Sequence, residues 1–220
     1  KESVLSENLK DLMGTCCDEL SGFIKVCKNE KLNIAFMVHM LVKSVFSCLV
    51  DSDRYNAYRF DIGETPAVQL SVPPWGEYAR RLEQHVSSFL INSEIARIRY
   101  DISKMCLNAS ARPRGVYRLD VPTGGGKTLS SLRFALNHAR EHSMEHIIYV
   151  IPYLSVLEQT ARDIKKALQY RDDEEFILEH HSNLVPSGDE SEAQAYRLWT
   201  DRWNQPIIIT TMVQFLESVF

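Results

Sequence analysis

Residues 121–128 read Val-Pro-Thr-Gly-Gly-Gly-Lys-Thr, directly after the alternating run Val116-Tyr117-Arg118-Leu119-Asp120 and directly before a helical pattern. Strand, glycine-rich turn and helix in that order are the context of a phosphate-binding loop. Glycines let successive backbone N–H groups converge on phosphate oxygens, and the N-terminus of the following helix adds partial positive charge. In that chemistry Pro122, Thr123, Gly124, Gly125 and Gly126 form the cradle. Lys127 reaches the β- and γ-phosphates of ATP, and the Thr128 hydroxyl sits on Mg2+. The pattern G-x-x-x-x-G-K-[ST] is broken at its first position, where Val121 stands instead of glycine or alanine. The bland alternative is a glycine-rich turn with a chance Gly-Lys-Thr, and the flanking strand and helix argue against it.

The elements that must position this loop alternate. The pattern predicts a strand over 116–121, a helix over 127–141, a strand over 146–151 and a helix over 155–169. A weak strand over 176–178, a helix over 192–203 and a strand over 207–210 follow. About thirty residues separate the first two strands, the length of a βαβ unit, so a parallel sheet with right-handed crossovers is predicted. Ligands bind at the carboxyl ends of such strands. The glycine loop, the turn at Pro152 and Thr210-Thr211 all lie at such ends and are expected to share one edge of the sheet. A sheet of about four strands with one unpaired edge is also an aggregation hazard.

Upstream, residues 1–58 read as helical, without proline and punctuated by Gly14 and Gly22. A first amphipathic helix ends near 28–29. A second, over 32–50, is apolar on nearly all sides and is predicted to sit in a core, although the segment has too few residues to enclose it. His39 and Lys43 interrupt its apolar run, which therefore reads as a buried helix more than a membrane span, and no membrane partner is expected. Gly63, Pro66, Pro73, Pro74 and Gly76 break all periodicity over 60–76, which reads as a linker. Helical patterns resume over 77–89 and 93–108. The expected division is 1–58 helical, 59–90 linker and connecting helix, and 91–220 an α/β lobe.

Composition mostly excludes. With 220 residues, 45% hydrophobic and 25% charged, the chain has the make-up of an ordinary globular protein. Cys16, Cys17, Cys27, Cys48 and Cys106 are odd in number, lack C-x-x-C spacing and accompany no secretory signal, so free thiols in a reducing cytoplasm are expected and no zinc site is indicated. A net charge of −4 leaves no electrostatic footprint for nucleic acid. It does not exclude one, because phosphate contacts also come from amides, hydroxyls and helix N-termini. The acidic run Asp172-Asp173-Glu174-Glu175 precedes a strand and reads as a solvated turn.

Residues 117–139 (Tyr-Arg-Leu-Asp-Val-Pro-Thr-Gly-Gly-Gly-Lys-Thr-Leu-Ser-Ser-Leu-Arg-Phe-Ala-Leu-Asn-His-Ala), with Ile147-Ile148-Tyr149-Val150-Ile151-Pro152-Tyr153 and Leu178-Glu179-His180-His181-Ser182-Asn183, resemble the CRISPR-associated helicase–nuclease of type I systems. The resemblance covers most of the chain and is best over its last two thirds. It implies an HD-type metal nuclease followed by a superfamily 2 helicase of two RecA-like lobes. The implied activity is a single-stranded DNA nuclease with an ATP-driven 3′-to-5′ translocase. In a prokaryotic cytoplasm an RNA-guided surveillance complex would recruit it to an opened DNA loop. The implied fold class is α/β, a partial RecA-like P-loop lobe with a parallel sheet, preceded by an all-α C-terminal remnant of an HD domain.

Carried over by resemblance, Pro152 and Tyr153 touch the DNA strand, and Thr210, Thr211 and Gln214 hold its sugar and phosphate. His180-His181-Ser182-Asn183 matches a family-typical segment without an assigned role. The run Phe46-Ser47-Cys48-Leu49-Val50-Asp51-Ser52-Asp53-Arg54 resembles the closing helix of the nuclease domain, with Asp53 as the ligand of a divalent transition metal and Asp51 in reserve. No His-Asp dipeptide and no upstream histidines at the required spacing accompany it, so the metal site cannot be assembled from these residues. No acidic box follows an apolar strand either, and the chain starts without Met and stops at Phe220. It is expected to be an internal fragment that binds nucleotide at most weakly. Two other readings stay open: another DNA-stimulated superfamily 2 helicase or restriction motor, and a truncated, non-catalytic nucleotide- or DNA-binding lobe.

Overall fold

Ile207, Ile208 and Ile209 are at most 1% exposed, so the strand they form is buried on both faces. Such a run is what the centre of a parallel sheet requires. In the computed structural model this strand lies between two others; residues 2–62, 73–171, 174, 176–181 and 203–219 are described. The strands are β1 (Ile147–Ile151), β2 (Ile177–His180) and β3 (Ile207–Thr211), in the order β1-β3-β2 and all parallel. The register pairs Ile151 with Thr211 and His180 with Thr210, which brings the carboxyl ends of all three strands to one edge. The helices are α1 (Glu2–Asn29), α2 (Ile34–Ile62), α3 (Trp75–Ser87), α4 (Glu94–Ala109), α5 (Lys127–Glu141), α6 (Leu154–Ala167) and α7 (Met212–Val219). Among them α5 has the bounds predicted from sequence. Of the helix predicted over 192–203, residues 192–202 lie outside the described residues.

The chain divides into two units, Lys1–Val68 and Gln69–Phe220. In the second, one face of the sheet (Ile147, Ile151, Ile177, Ile207, Ile209) packs against Leu132 and Leu136 of α5, Leu157 and Ile164 of α6, and Trp75, Tyr78 and Leu82 of α3. Helix α3, which falls in the stretch read as linker and connecting helix, is thus a core element of this unit. Its Trp75 Nε1 donates to the Met144 carbonyl at 2.6 Å, and Tyr78 stacks on Phe176 at 4.3 Å. Arg81 grips the Glu174 carboxylate with two bonds of 2.7 and 2.6 Å. Glu174 is therefore not part of a solvated acidic turn: its side chain is 13% exposed and ties that turn to α3.

The predicted strand over 116–121 does not join the sheet, which has three strands among the described residues. The segment forms no regular element, with Val116 fully exposed, Arg118 and Asp120 more than four-fifths exposed and Val121 buried. It has no ladder partner because Tyr117 packs on Phe134 and His138 of α5, at ring distances of 5.2 and 5.9 Å, and draws the segment along that helix. Both β1 and β2 are consequently outer strands among the described residues.

Among the described residues the first unit is a pair of helices, α1 and α2. Asn33 caps α2 by accepting from the Phe36 amide at 3.1 Å. The prediction of a core helix fails here: Val42, Val45, Phe46 and Leu49 are 61–66% exposed. One partner helix covers one stripe of a neighbour, and α2 is apolar on more sides than that. Ile34–Ala57 is also long and apolar enough to cross a membrane, a property that core helices share.

Glu174 sits below its ordinary value, chiefly because Arg81 donates to it. A carboxyl depressed by folding contributes stability that is fully present above its unfolded value of about 4.3 and is lost as pH falls through the folded value. Glu174→Gln is expected to lower the melting temperature at neutral pH by about 2–4 °C. It should also flatten the acid loss seen in the parent below about pH 4.3, which thermal melts across that range would record.

Candidate functional site

The glycine loop is shaped by two left-handed residues, Gly124 at φ +81° and Gly126 at φ +79°. The Gly125 amide donates to the Pro122 carbonyl at 3.1 Å and closes a four-residue turn whose third position, Gly124, needs a positive φ. Gly125 is required for a different reason. A Cβ there would lie 2.3 Å from Val121 Cγ1 and 3.0 Å from the Pro122 carbonyl oxygen. Val121, the departure from the strict motif, is therefore the residue packed under the middle glycine.

Gly126 is the N-cap of α5, and no side chain caps the helix. No side chain takes the first-turn amides, which a helix N-terminus leaves without intrahelical partners, and such amides suit an anion. Lys127 is exposed and enters no ion pair among the described residues, while Thr128 is half-buried on the first turn. The cradle, the ammonium and the hydroxyl fit a nucleoside triphosphate with Mg2+.

Orientation follows from connectivity. Helix α5 packs on the sheet and is joined to β1 by the short turn 142–146, so it runs against the strand and its N-terminus faces the strand's carboxyl end. Ser131 Oγ lies 3.5 Å from the Tyr149 hydroxyl, which fixes the same orientation. Burial pushes the Tyr149 phenol up to about 12, so it stays neutral. Beside the loop, Phe89, Leu90, Ile91, Arg99, Tyr100 and Gly126 help to line a cavity of about 370 Å3 between α3, α4 and α5.

The expected DNA-contacting residues divide. Pro152 and Tyr153 follow β1 and are exposed, Tyr153 at 69%. Thr211 accepts from the Gln214 amide at 3.3 Å and caps α7, and Gln214 is half-buried beside it. Thr210 does not join this surface. It is 0% exposed and its hydroxyl donates to the His180 carbonyl at 2.9 Å, so it locks β3 to β2. His180 accepts from Trp203 Nε1 at 2.9 Å through Nδ1, and His181 is buried. Ser182 and Asn183 lie outside the described residues. Asp53 is exposed on α2, and among the described residues no three His, Cys, Asp or Glu side chains gather into a metal site.

Two arginine contacts, one buried and one exposed, escaped the sequence reading. Arg133 of α5 forks onto Glu83 of α3, with Nε at 2.6 Å, and donates to Ser103 of α4 at 3.2 Å. Arg99 of α4 donates from Nε to the Gly124 carbonyl at 2.8 Å. An arginine on an amphipathic helix looks like any solvated charge in sequence, and nothing local marks its distant partner.

A glycine loop feeding an uncapped helix at the carboxyl edge of a parallel sheet defines a P-loop nucleotide-binding lobe. Residues 80–219 match the family of the type III restriction enzyme res subunit, and the chain belongs to that family of superfamily 2 helicase-like, ATP-dependent motors. The match begins inside α3 and ends with α7, spanning the core and the loop together. No curated protein matches the chain.

Gly125→Ala is expected to abolish nucleotide binding, because its methyl collides with Val121 and with backbone, while the distant core is untouched. Adding Val121→Ala removes the 2.3 Å contact and should restore part of the affinity. Calorimetric titration with Mg-ATP, beside melts of each variant, reads both effects.

Proposed function

We propose that this chain carries part of the first RecA-like lobe, with its ATP-binding loop, of a CRISPR-associated helicase–nuclease, an ATP-driven translocase on single-stranded DNA recruited by an RNA-guided surveillance complex. The observation that carries the motor half is the glycine loop at the N-terminus of α5, facing the same sheet edge as Pro152 and Thr211. Bound ATP would supply free energy through cleavage of its γ-phosphate. The loop amides hold phosphate oxygens, Lys127 neutralises their charge, and the Thr128 hydroxyl takes a place on Mg2+. The cavity of about 370 Å3 beside Gly126 falls in the size range of ligand pockets and takes the base and ribose. Tyr153 offers an exposed ring for stacking on a base, and Thr211 and Gln214 offer a hydroxyl and an amide to the backbone.

The CRISPR and nuclease half rests on the resemblance of residues 117–139, 147–153 and 178–183 and of the segment ending at Asp53-Arg54. In this reading Asp53 is one ligand of a divalent transition metal whose other ligands come from outside α1 and α2, and the apolar face of α2 belongs to the same nuclease domain. A restriction-type motor is the second reading, favoured by the family that residues 80–219 match. Recruitment separates the two. The first requires tighter binding to an opened loop held by a surveillance complex than to the same strand free in solution, and the second requires no such preference.

Lys127→Ala is expected to weaken Mg-ATP binding by roughly 10- to 100-fold, the loss of one charge-assisted bond to phosphate. Tyr153→Ala should weaken single-stranded oligonucleotide binding by about 1–3 kcal/mol and leave ATP affinity in place. Unchanged ATP affinity in the Lys127 variant would contradict the assignment of the loop.

A further inference from the structure

Apart from the opening bond of α5, from the Ser130 amide to the Gly126 carbonyl, one hydrogen bond among the described residues reaches the glycine loop 122–126 from another element: Arg99 Nε of α4 to the Gly124 carbonyl, 2.8 Å. The same side chain lies along the loop. Its Cβ, Cγ and Cδ stand 3.6–4.0 Å from the point that a Cβ on Gly126 would occupy. Three consecutive glycines have no local preference strong enough to select one loop shape, since each is free on both sides of φ. A planar trans peptide turns its carbonyl and the next N–H in opposite directions. Holding the Gly124 carbonyl against α4 therefore aims the Gly125 amide away from α4, toward the Pro122 carbonyl that it meets at 3.1 Å.

We propose that Arg99 is a positioning residue for the phosphate-binding loop: its guanidinium fixes the Gly124–Gly125 peptide, and its stem supports the left-handed Gly126 at the start of α5. The purpose of the clamp rests on the nucleotide-binding reading above, whereas the clamp is present without nucleotide. Helix α4 is itself held to α5 through Ser103 and Arg133, so the clamp connects the loop to a rigid support. Arg99 does not touch reacting atoms in this account. It keeps open one loop shape out of the many that Gly124-Gly125-Gly126 permits.

The test uses the full chain, with Arg99→Met, which keeps the apolar stem and removes the donor, and Arg99→Lys, which returns a donor. Two readouts are taken: amide hydrogen exchange across residues 122–128 without nucleotide, and Mg-ATP affinity by calorimetry beside Lys127→Ala. The expected result is faster exchange confined to the loop and about tenfold weaker Mg-ATP binding in Arg99→Met, with partial recovery of both in Arg99→Lys. Unchanged loop exchange in Arg99→Met overturns the inference, even if Lys127→Ala confirms nucleotide binding. Faster exchange throughout α4 and the core also overturns it, since that marks a general structural role. If the parent chain binds no Mg-ATP, the functional reading falls, and the loop-exchange comparison alone still decides whether Arg99 shapes the loop.

Discussion

Leu132 and Leu136 are wholly buried between the sheet and α3, and the placement of α5 depends on that contact. Two leucines four residues apart lie one above the other on a helix, so their burial fixes which stripe of α5 faces the strands. The direction of α5 then follows from its short connection to β1. Its N-terminus, and the glycine loop ahead of it, can only face the carboxyl ends of β1 and β3. The apolar contact thus orients an electrostatic device, since the open amides and partial positive charge of a helix N-terminus are useful only where a phosphate can approach.

Support from the other side comes through polar contacts. Arg133 leaves the buried flank of α5 and meets Glu83 of α3 and Ser103 of α4, tying both upstream helices to α5. A buried guanidinium demands partners in fixed geometry, because leaving one unpaired is costly. Helix α3 is anchored again through Arg81 and Glu174, and Trp75 reaches the Met144 carbonyl at the turn that joins α5 to β1. The upstream helices are therefore part of the apparatus that holds the loop. The family match, which opens at residue 80, spans the same elements.

Sequence patterns made the glycine loop ahead of α5, the bounds of α5, the parallel sense of the strands and the shared edge at Pro152 and Thr211 legible, because each follows from a local pattern or from element spacing. Misreadings arose where a distant partner decides. The run 116–121 alternates like a strand in sequence, yet Tyr117 finds α5 in place of a ladder. Thr210 and Thr211 are identical neighbours in sequence; the pleat sends one hydroxyl inward to His180 and leaves the other to cap α7. Trp75, Tyr78 and Leu82 have core spacing at i, i+3 and i+7, but the prolines and glycines just before them mark the stretch as a connector. Nothing in the apolar pattern of α2 reveals that, among the described residues of its unit, one helix lies against it.

A motor function for this chain depends on the amides around Gly124, Gly125 and Gly126 and the first turn of α5 forming a phosphate site. Amide chemical shifts of the intact chain, followed while Mg-ATP is added, address it most directly. A phosphate site there requires saturable shifts centred on residues 124–128, with smaller ones along the cavity at 89–91 and Tyr100. Saturable shifts elsewhere with a silent loop, or no shifts at millimolar nucleotide, would contradict it.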